Sequence, residues 1–583
     1  MCGIAGIISA DPSLVNKRSL EAMANSLAHR GPDGEACWIS DSGHSGFAHR
    51  RLAVIDLSAA SAQPMHYGNQ YTIVYNGEIY NYQELKKDLQ QKGYLFSNES
   101  DTEVILAMYD RYKEKCLSHF DGMFSFAIWD AHEKQLFCAR DRFGEKPFFY
   151  LFDENYKIFW FGSEMKALYA AGVPRNINHA LLLQFMAHGH TSDPGDDSIT
   201  FDQRIKKLPA AHYGIFSLAS MSFTVAQYWE VDKNYRVRTT EKEATGRFSE
   251  LLFHSTKLRL RSDVRVGTSL SGGLDSSTIA AIISQVQPGR FKTFTAAFPG
   301  FEKDESFHAR DIAVKCGFEN YSIVPSADEL ILDLEKLAYH QEEPFTSSSV
   351  YAQYRVFDLA KENNVTVLLD GQGADEILAG YDKYKRWPMR SLFPESTASL
   401  LKNREINRLL NNKDINPEYV NAWAGVVKTY KPVVRSLNDM LYFNVFHSGL
   451  EELLRYADRN SMAHGREVRL PFLNHELVAF VFSLPDDFKL KNGWTKWILR
   501  NAMNDYLPPH IAWQKRKTGF EPPQEQWMHT KGMQEYIGEA QAKLVKDGIL
   551  SEAVLKKKNN AHTAYARKGE AWRYLSAYLF STL

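Results

Sequence analysis

A chain of 583 residues has room for two to four domains, and 44% hydrophobic with 24% charged residues is the composition of a folded protein rather than a disordered one. Its 69 Lys and Arg against 70 Asp and Glu leave a net charge of −1, so the electrostatics call for neither a nucleic-acid partner nor an anionic membrane. The five cysteines (Cys2, Cys37, Cys116, Cys138, Cys316) are scattered without CxxC spacing, which argues against a zinc site and for a reducing compartment.

From the amino terminus, Ile4–Ile8 reads as a short buried strand. The stretch Met1–Ile8 carries no basic region and meets Asp11-Pro12 at once, unlike a signal peptide. No apolar run approaches the ~20 residues of a membrane span, and a cytoplasmic protein is expected. Leu14–Ala28 has helical spacing and ends in the turn cluster His29-Arg30-Gly31-Pro32-Asp33-Gly34. Strands are expected at Phe47–Leu57, Tyr71–Tyr75, Phe124–Asp130, Gln135–Arg140 and Lys157–Gly162, with helices at Gln83–Gln91 and Thr102–Lys113. Many strands with few crossovers predict packed antiparallel sheets. Residues 189–203 read as an exposed loop. The first domain is expected over residues 2–210 and a linker over 211–245, with the polar stretch Asp232–Thr245 inside it.

From 246 to 583 the pattern alternates. Phe248–Arg261 is helical, Val264–Leu270 and Phe291–Phe298 are strands, Glu305–Cys316 is helical, and Tyr321–Val324 and Val365–Leu369 are strands. Alternation of this kind predicts a parallel sheet covered on both faces, with ligands at the carboxyl ends of its strands. Beyond 385 the chain reads as mostly helical.

One such strand end is Leu270-Ser271-Gly272-Gly273-Leu274-Asp275-Ser276-Ser277. A strand, a Gly-Gly turn and a Ser-rich helix start form a phosphate-binding geometry, because backbone N–H groups and the helix dipole face the anion. Asp275 fits beside a phosphate only with a divalent cation between them, so ATP with magnesium is the expectation. The plain alternative is a Gly-Gly turn with a helix cap. A second chemistry sits at the other end of the chain. Cys2 becomes the amino terminus once Met1 is removed, and its α-amine, with a reference pKa of ~7.7–8.0, can then activate its thiol. Arg51 can grip a carboxylate, Asn76 with Gly77 has the make-up of an oxyanion hole, and Asp101 can accept an α-ammonium. Taken singly, Arg51 reads equally as a surface ion pair and Asp101 as a helix cap.

Cys2-Gly3-Ile4, His29–Gly34, Arg51-Leu52-Ala53-Val54-Ile55-Asp56, Tyr75-Asn76-Gly77-Glu78-Ile79-Tyr80-Asn81 and Ser100-Asp101-Thr102-Glu103 together resemble the class II (amino-terminal nucleophile) glutamine amidotransferases. The resemblance implies a four-layer α/β/β/α sandwich that hydrolyses glutamine to glutamate and ammonia. It implies Cys2 as nucleophile, Asn76 and Gly77 at the oxyanion, Arg51 on the substrate α-carboxylate, and Glu78 and Asp101 around its α-amino group.

The loop at 270–277 resembles the PP-loop of the ATP pyrophosphatases, which implies a Rossmann-like synthetase domain. A second acidic glycine loop, Asp370-Gly371-Gln372-Gly373-Ala374-Asp375-Glu376, follows the Val365–Leu369 strand. The resemblance implies ATP contacts from Leu270, Ser271, Gly272, Gly273, Asp275, Ser276, Ala296, Asp370 and Gly371, and Mg2+ between Asp275 and Asp375. Asp458–Leu473, read as an Arg/Glu-rich helix, and Trp513–Phe520 are similar to the synthetase domain of glutamine-hydrolysing asparagine synthetases, and the motifs run in order from Cys2 to about Trp527. That family implies adenylation of the aspartate β-carboxylate, then attack by ammonia that reaches it through an apolar internal passage. Lys517 is assigned to charge stabilisation during adenylation, and Glu467 with Arg469 to the acceptor pocket. The implied partners are glutamine, aspartate and ATP, with a homodimer as a family-level expectation. At Gln372 some members carry a glutamate tied to intermediate formation, and glutamine is neither acid, base nor anion. Two alternatives therefore stay open: an amidotransferase acting on another carboxylate, such as a uronic acid or a peptide side chain, and a silent glutamine or ATP sensor.

Overall fold

The computed structural model describes residues 1–515, 519–557 and 569–583. The strands of the first unit are β1 (Gly3–Ser9), β2 (Gly34–Ile39), β3 (Ser45–Arg51), β4 (Met65–Tyr67), β5 (Tyr71–Ile79), β6 (Gly122–Asp130), β7 (Gln135–Arg140), β8 (Phe149–Asp153), β9 (Ile158–Gly162), β10 (Lys206–Lys207), β11 (His212–Ser217) and β12 (Ser222–Gln227). They form two antiparallel sheets of six described strands each, in the orders β10-β8-β9-β1-β3-β2 and β12-β11-β7-β6-β5-β4. β1 is buried along its whole length, as its unbroken apolar and small sequence requires, and so lies between two neighbours. Ile4, Ile8 and Phe47 of one sheet interdigitate with Val74, Ala127 and Trp129 of the other. The outer faces are covered by helices Lys17–Ser26 and Met165–Ala170 on the first sheet and Asp101–Tyr112 on the second. This is the expected α/β/β/α sandwich.

Three local expectations change. The strand read over Phe47–Leu57 stops at Arg51, where the chain leaves the sheet and turns through Asp56 at φ 50°. The helix read over Leu14–Ala28 runs from Lys17 to Ser26, started by Asn16, whose side chain accepts from the Ser19 N–H at 2.9 Å. The linker expected to begin at 211 opens instead on β11 and β12, and β11 pairs with β7 from Tyr213↔Ala139 to Ser217↔Gln135. Phe216 and Phe223 face the inter-sheet core, so these strands belong to the sandwich, and the connection is confined to residues 228–240.

The second unit is built on β13 (Val266–Ser269), β14 (Lys292–Ala296), β15 (Glu319–Ile323), β16 (Val367–Leu369) and β17 (Glu467–Arg469), all parallel, in the order β15-β14-β13-β16-β17. The order reverses between β13 and β16, which makes their carboxyl ends the switch-point crevice where ligands bind. Both glycine loops emerge there. The region read as an Arg/Glu-rich helix over Asp458–Leu473 divides in two. Helix Leu450–Ala463 ends, Gly465 turns the chain at φ 59°, and β17 adds a strand to the sheet. No helix among the described residues is long and apolar enough to cross a membrane.

Candidate functional site

Cys2 sits one residue before β1, and β1 lies against β3 with Gly3 opposite Arg50, so Arg51 comes out beside the thiol. Asn76, Gly77 and Glu78 arrive on β5 from the facing sheet. The Cys2 N–H donates to Asn76 Oδ1 at 3.0 Å, while Asn76 Nδ2 is buried without a hydrogen-bond partner. A buried amide N–H pair left open next to a thiol is a donor waiting for an oxygen. Gly77 is fixed by space: a Cβ there would lie 2.1 Å from the Met123 carbonyl oxygen. Arg51 donates to the carbonyls of Ser58 at 2.9 Å and Asp56 at 2.6 Å and to the Ser61 hydroxyl. That turn therefore aims its guanidinium at the cleft it shares with Cys2 and Asp101. Asp101 opens its helix and accepts from the Tyr75 hydroxyl at 2.8 Å and the Ile79 N–H at 2.9 Å. Burial pushes its carboxyl up to about 6. Burial, and then the charges of Glu467 and Asp101, raise Glu78 well above the usual carboxylate range. Two buried carboxyls so destabilised favour a cation between them.

That cleft abuts the second unit. Arg30, fully buried, donates from Nε to the Cys2 carbonyl at 3.1 Å, and from its two terminal nitrogens to Asp458 at 2.8 and 3.0 Å and to Glu164 at 2.8 Å. Arg459 completes the cluster on Glu164 at 2.8 Å and Glu342 at 2.7 Å. Glu467 belongs here and not, as the sequence suggested, in the acceptor pocket. It accepts from the Met1 amino group at 2.8 Å and from Arg469 Nε at 2.5 Å. The reason is its register on β17: Glu467 lies opposite Val367, at the start of the strand, whereas the acceptor crevice lies at the carboxyl ends. Burial opposes its charge, yet the Met1 ammonium and Arg469 hold its carboxyl down at about 2. Arg469, fully buried, donates to the carbonyls of Arg259 and Arg261, and so also serves the interface. Met1, Leu52, Val54, Tyr80 and Met123 of the first unit share one apolar cluster with Leu270 and Leu470 of the second.

At the switch point, one cavity is lined by Leu270, Ser271, Gly273, Asp275, Ser276, Ala296, Asp370, Gly371, Gln372 and Asp375, which brings the sequence-assigned ATP and metal residues together. Gly272 stands behind it: at φ 89° its Cβ would meet the Glu305 carbonyl at 2.5 Å. Gly371 packs against the backbone of the 270–277 loop, where a Cβ would lie 2.8 Å from the Asp275 carbonyl carbon. Asp275 and Asp375 converge on a single cation, the Lys496 ammonium, at 2.6 and 2.5 Å. Two carboxylates already gathered about one positive charge, both hard oxygen donors, fit a magnesium ion. Burial pushes the Asp370 carboxyl up to about 6.

Lys496 carries no motif in its spacing; its place follows from the left-handed φ of 55° with which it starts helix Trp497–Met503. Arg500, one turn on, lines the same cavity. Arg30 was visible only as part of a turn cluster. Lys517 lies outside the described residues.

An amino-terminal nucleophile sandwich joined to a glycine-loop parallel sheet defines a glutamine amidotransferase coupled to an ATP-consuming synthetase. The glutamine amidotransferase domain profile matches residues 1–229, and the asparagine synthase profile matches residues 247–582. The chain belongs to the asparagine synthase family. It is 33% identical to asparagine synthetase [glutamine-hydrolyzing] 1 of Bacillus subtilis (strain 168), over 92% of this chain and 89% of that one. It is 32% identical to asparagine synthetase [glutamine-hydrolyzing] 3 of the same organism, over 94% and 91%.

Proposed function

We infer that the chain makes asparagine from aspartate, ATP and glutamine, releasing AMP, pyrophosphate and glutamate. The observation that carries this reading is the presence of two sites in one chain: a thiol beside an open amide donor, and a glycine-loop cavity holding paired carboxylates. In the first half, Met1 is removed and the Cys2 amine takes the thiol proton. Cys2 Sγ attacks the glutamine amide, Asn76 Nδ2 and the Gly77 N–H hold the oxyanion, ammonia leaves with the proton the amine returns, and water then hydrolyses the Cys2 thioester to release glutamate and the free thiol. Arg51 holds the α-carboxylate; Asp101 and Glu78 hold the α-ammonium. In the second half, the 270–277 loop and Gly371 bind the ATP phosphates, and the aspartate β-carboxylate displaces pyrophosphate. Asp275 and Asp375 would hold Mg2+, which neutralises charge on the pyrophosphate when bound. Five free cysteines agree with action in the cytoplasm.

The decisive experiment is AMP and pyrophosphate release against a panel of carboxylates. Aspartate-dependent release matched mole for mole by asparagine is expected, with either glutamine or ammonium as nitrogen source. Release stimulated by a uronic acid or a peptide carboxylate, and not by aspartate, would overturn the acceptor.

A pH dependence follows from Asp101. Its folded pKa is raised to about 6, so the group is ionised above that value and neutral below it. A neutral carboxyl does not hold an ammonium. Below the limb set by protonation of the Cys2 amine, glutamine kcat/KM is therefore expected to fall further as pH drops through about 6, chiefly through KM. Asp101→Asn should show a low kcat/KM without this further fall. A wild-type profile flat from pH 5 to 7 would contradict the role.

A further inference from the structure

Gln372 lines the ATP cavity on the side of helix Leu450–Ala463. Its Nε2 donates to the Leu453 carbonyl at 3.2 Å. A carbonyl can only accept, so this bond fixes which way round the amide stands: nitrogen toward the helix, oxygen away from it. That oxygen, Oε1, is buried and has no hydrogen-bond partner. A buried acceptor held open in this way calls for a donor from a ligand. The helix that holds Gln372 continues one and a half turns to Asp458 and Arg459, which meet Arg30 and Glu164 of the first unit; Arg30 in turn donates to the Cys2 carbonyl. Gln372 therefore stands on the wall of the cavity tied to the unit that supplies nitrogen.

We propose that Gln372 is the positioning residue for the nitrogen nucleophile, its Oε1 accepting one N–H of ammonia so that the nitrogen lone pair faces the acyl carbon. This rests on reading the cavity as the site of aspartate adenylation. In the step itself, the nitrogen lone pair forms the C–N bond, the acyl C–O bond to AMP breaks with its electron pair going to the phosphate oxygen, and the surplus proton leaves with AMP. Gln372 accepts a hydrogen bond and exchanges no proton. Its neutrality suits the task. A carboxylate in this place would favour ammonium, the form without a lone pair, whereas an amide oxygen orients the molecule without charging it.

The test compares Gln372→Met, which keeps length and loses the acceptor, with Gln372→Glu, which keeps an acceptor and adds charge. Asparagine formation is measured against ammonium chloride, ATP and aspartate in turn, from pH 7 to 9. In Gln372→Met the KM for ammonia should rise about tenfold, the weight of one hydrogen bond, with the KM values for ATP and aspartate moving far less. In Gln372→Glu much of that loss should return, with the pH profile for ammonium use displaced to the alkaline side. A parallel rise of all three KM values, or an unchanged KM for ammonia, would overturn the proposal. Absence of aspartate-dependent pyrophosphate release by the wild-type chain would overturn the adenylation reading instead, so the two failures are distinguishable.

Discussion

Cys2→Ala is expected to make no asparagine from glutamine and to continue making it from ammonium. The thiol is the nucleophile assigned in the cleft beside Asn76, and Arg51, Glu78 and Asp101 are assigned to orienting substrate. Removing a nucleophile from such a constellation costs about 10⁴-fold or more, because donors alone retain little catalysis. The second cavity lies at the far end of the parallel sheet and contains no atom of Cys2, so ammonium-dependent AMP formation should stay within about twofold of wild type on this independence of distant sites. Alanine is small enough to permit Met1 removal, which keeps the comparison clean. A chain forced to retain Met1 should behave in the same way. Its amino group is then bound to Glu467 at 2.8 Å rather than free on Cys2, and burial raises the thiol pKa. Glutamate release and asparagine formation, measured separately with each nitrogen source, read both halves. Persistent glutamine-dependent synthesis by Cys2→Ala would contradict the nitrogen route.

How far the sequence reaches is clear from particular residues. β1 and β5 are legible because runs of buried apolar residues meet motifs whose chemistry does not depend on distant partners. The glycine loops are legible because backbone N–H groups near a phosphate demand glycine wherever they occur, and the alternating pattern predicts that Ser271 and Asp370 share a strand-end crevice. Register is less legible. Glu467 and Gln372 lie on neighbouring strands or their ends, but only the pairing of Glu467 with Val367 shows that one faces the Cys2 cleft while the other reaches the ATP cavity. β12 was hidden because it is the sheet's edge strand, largely exposed and carrying Ser222, Thr224 and Gln227, so that it resembles a linker in composition and gives β11 no visible partner. The Arg30–Asp458 contact spans 428 positions and has no local signal at all.

Lys496→Met should abolish most ATP chemistry while sparing glutamine hydrolysis. Lys496 has a side chain only 5% exposed and lies between Asp275 and Asp375, the carboxylates assigned to magnesium and pyrophosphate. Burial lowers its pKa while the Asp275 charge supports its cation, so the ammonium persists because of its partners. Once a phosphate chain and magnesium enter, the carboxylates have another cation and the ammonium can turn to the phosphate oxygens, where charge grows as pyrophosphate departs. A preorganised donor aimed at such charge contributes ~10²–10³ in rate, and that is the expected fall in AMP and pyrophosphate release with ammonium as nitrogen source. Lys496→Arg should recover part of it, since the charge returns with altered geometry. A second consequence has the opposite sign. Without the ammonium, Asp275 and Asp375 lose the cation they share, a loss on the order of 3 kcal/mol. The nucleotide-free variant should therefore melt lower than wild type and regain more of its Tm on adding magnesium, because the ion replaces the missing charge. Glutamate release at Cys2 should be unchanged, as Lys496 makes no contact with that cleft. Undiminished pyrophosphate release by Lys496→Met, or a Tm indifferent to magnesium, would remove Lys496 from the phosphate site and leave it a bridge between two loops.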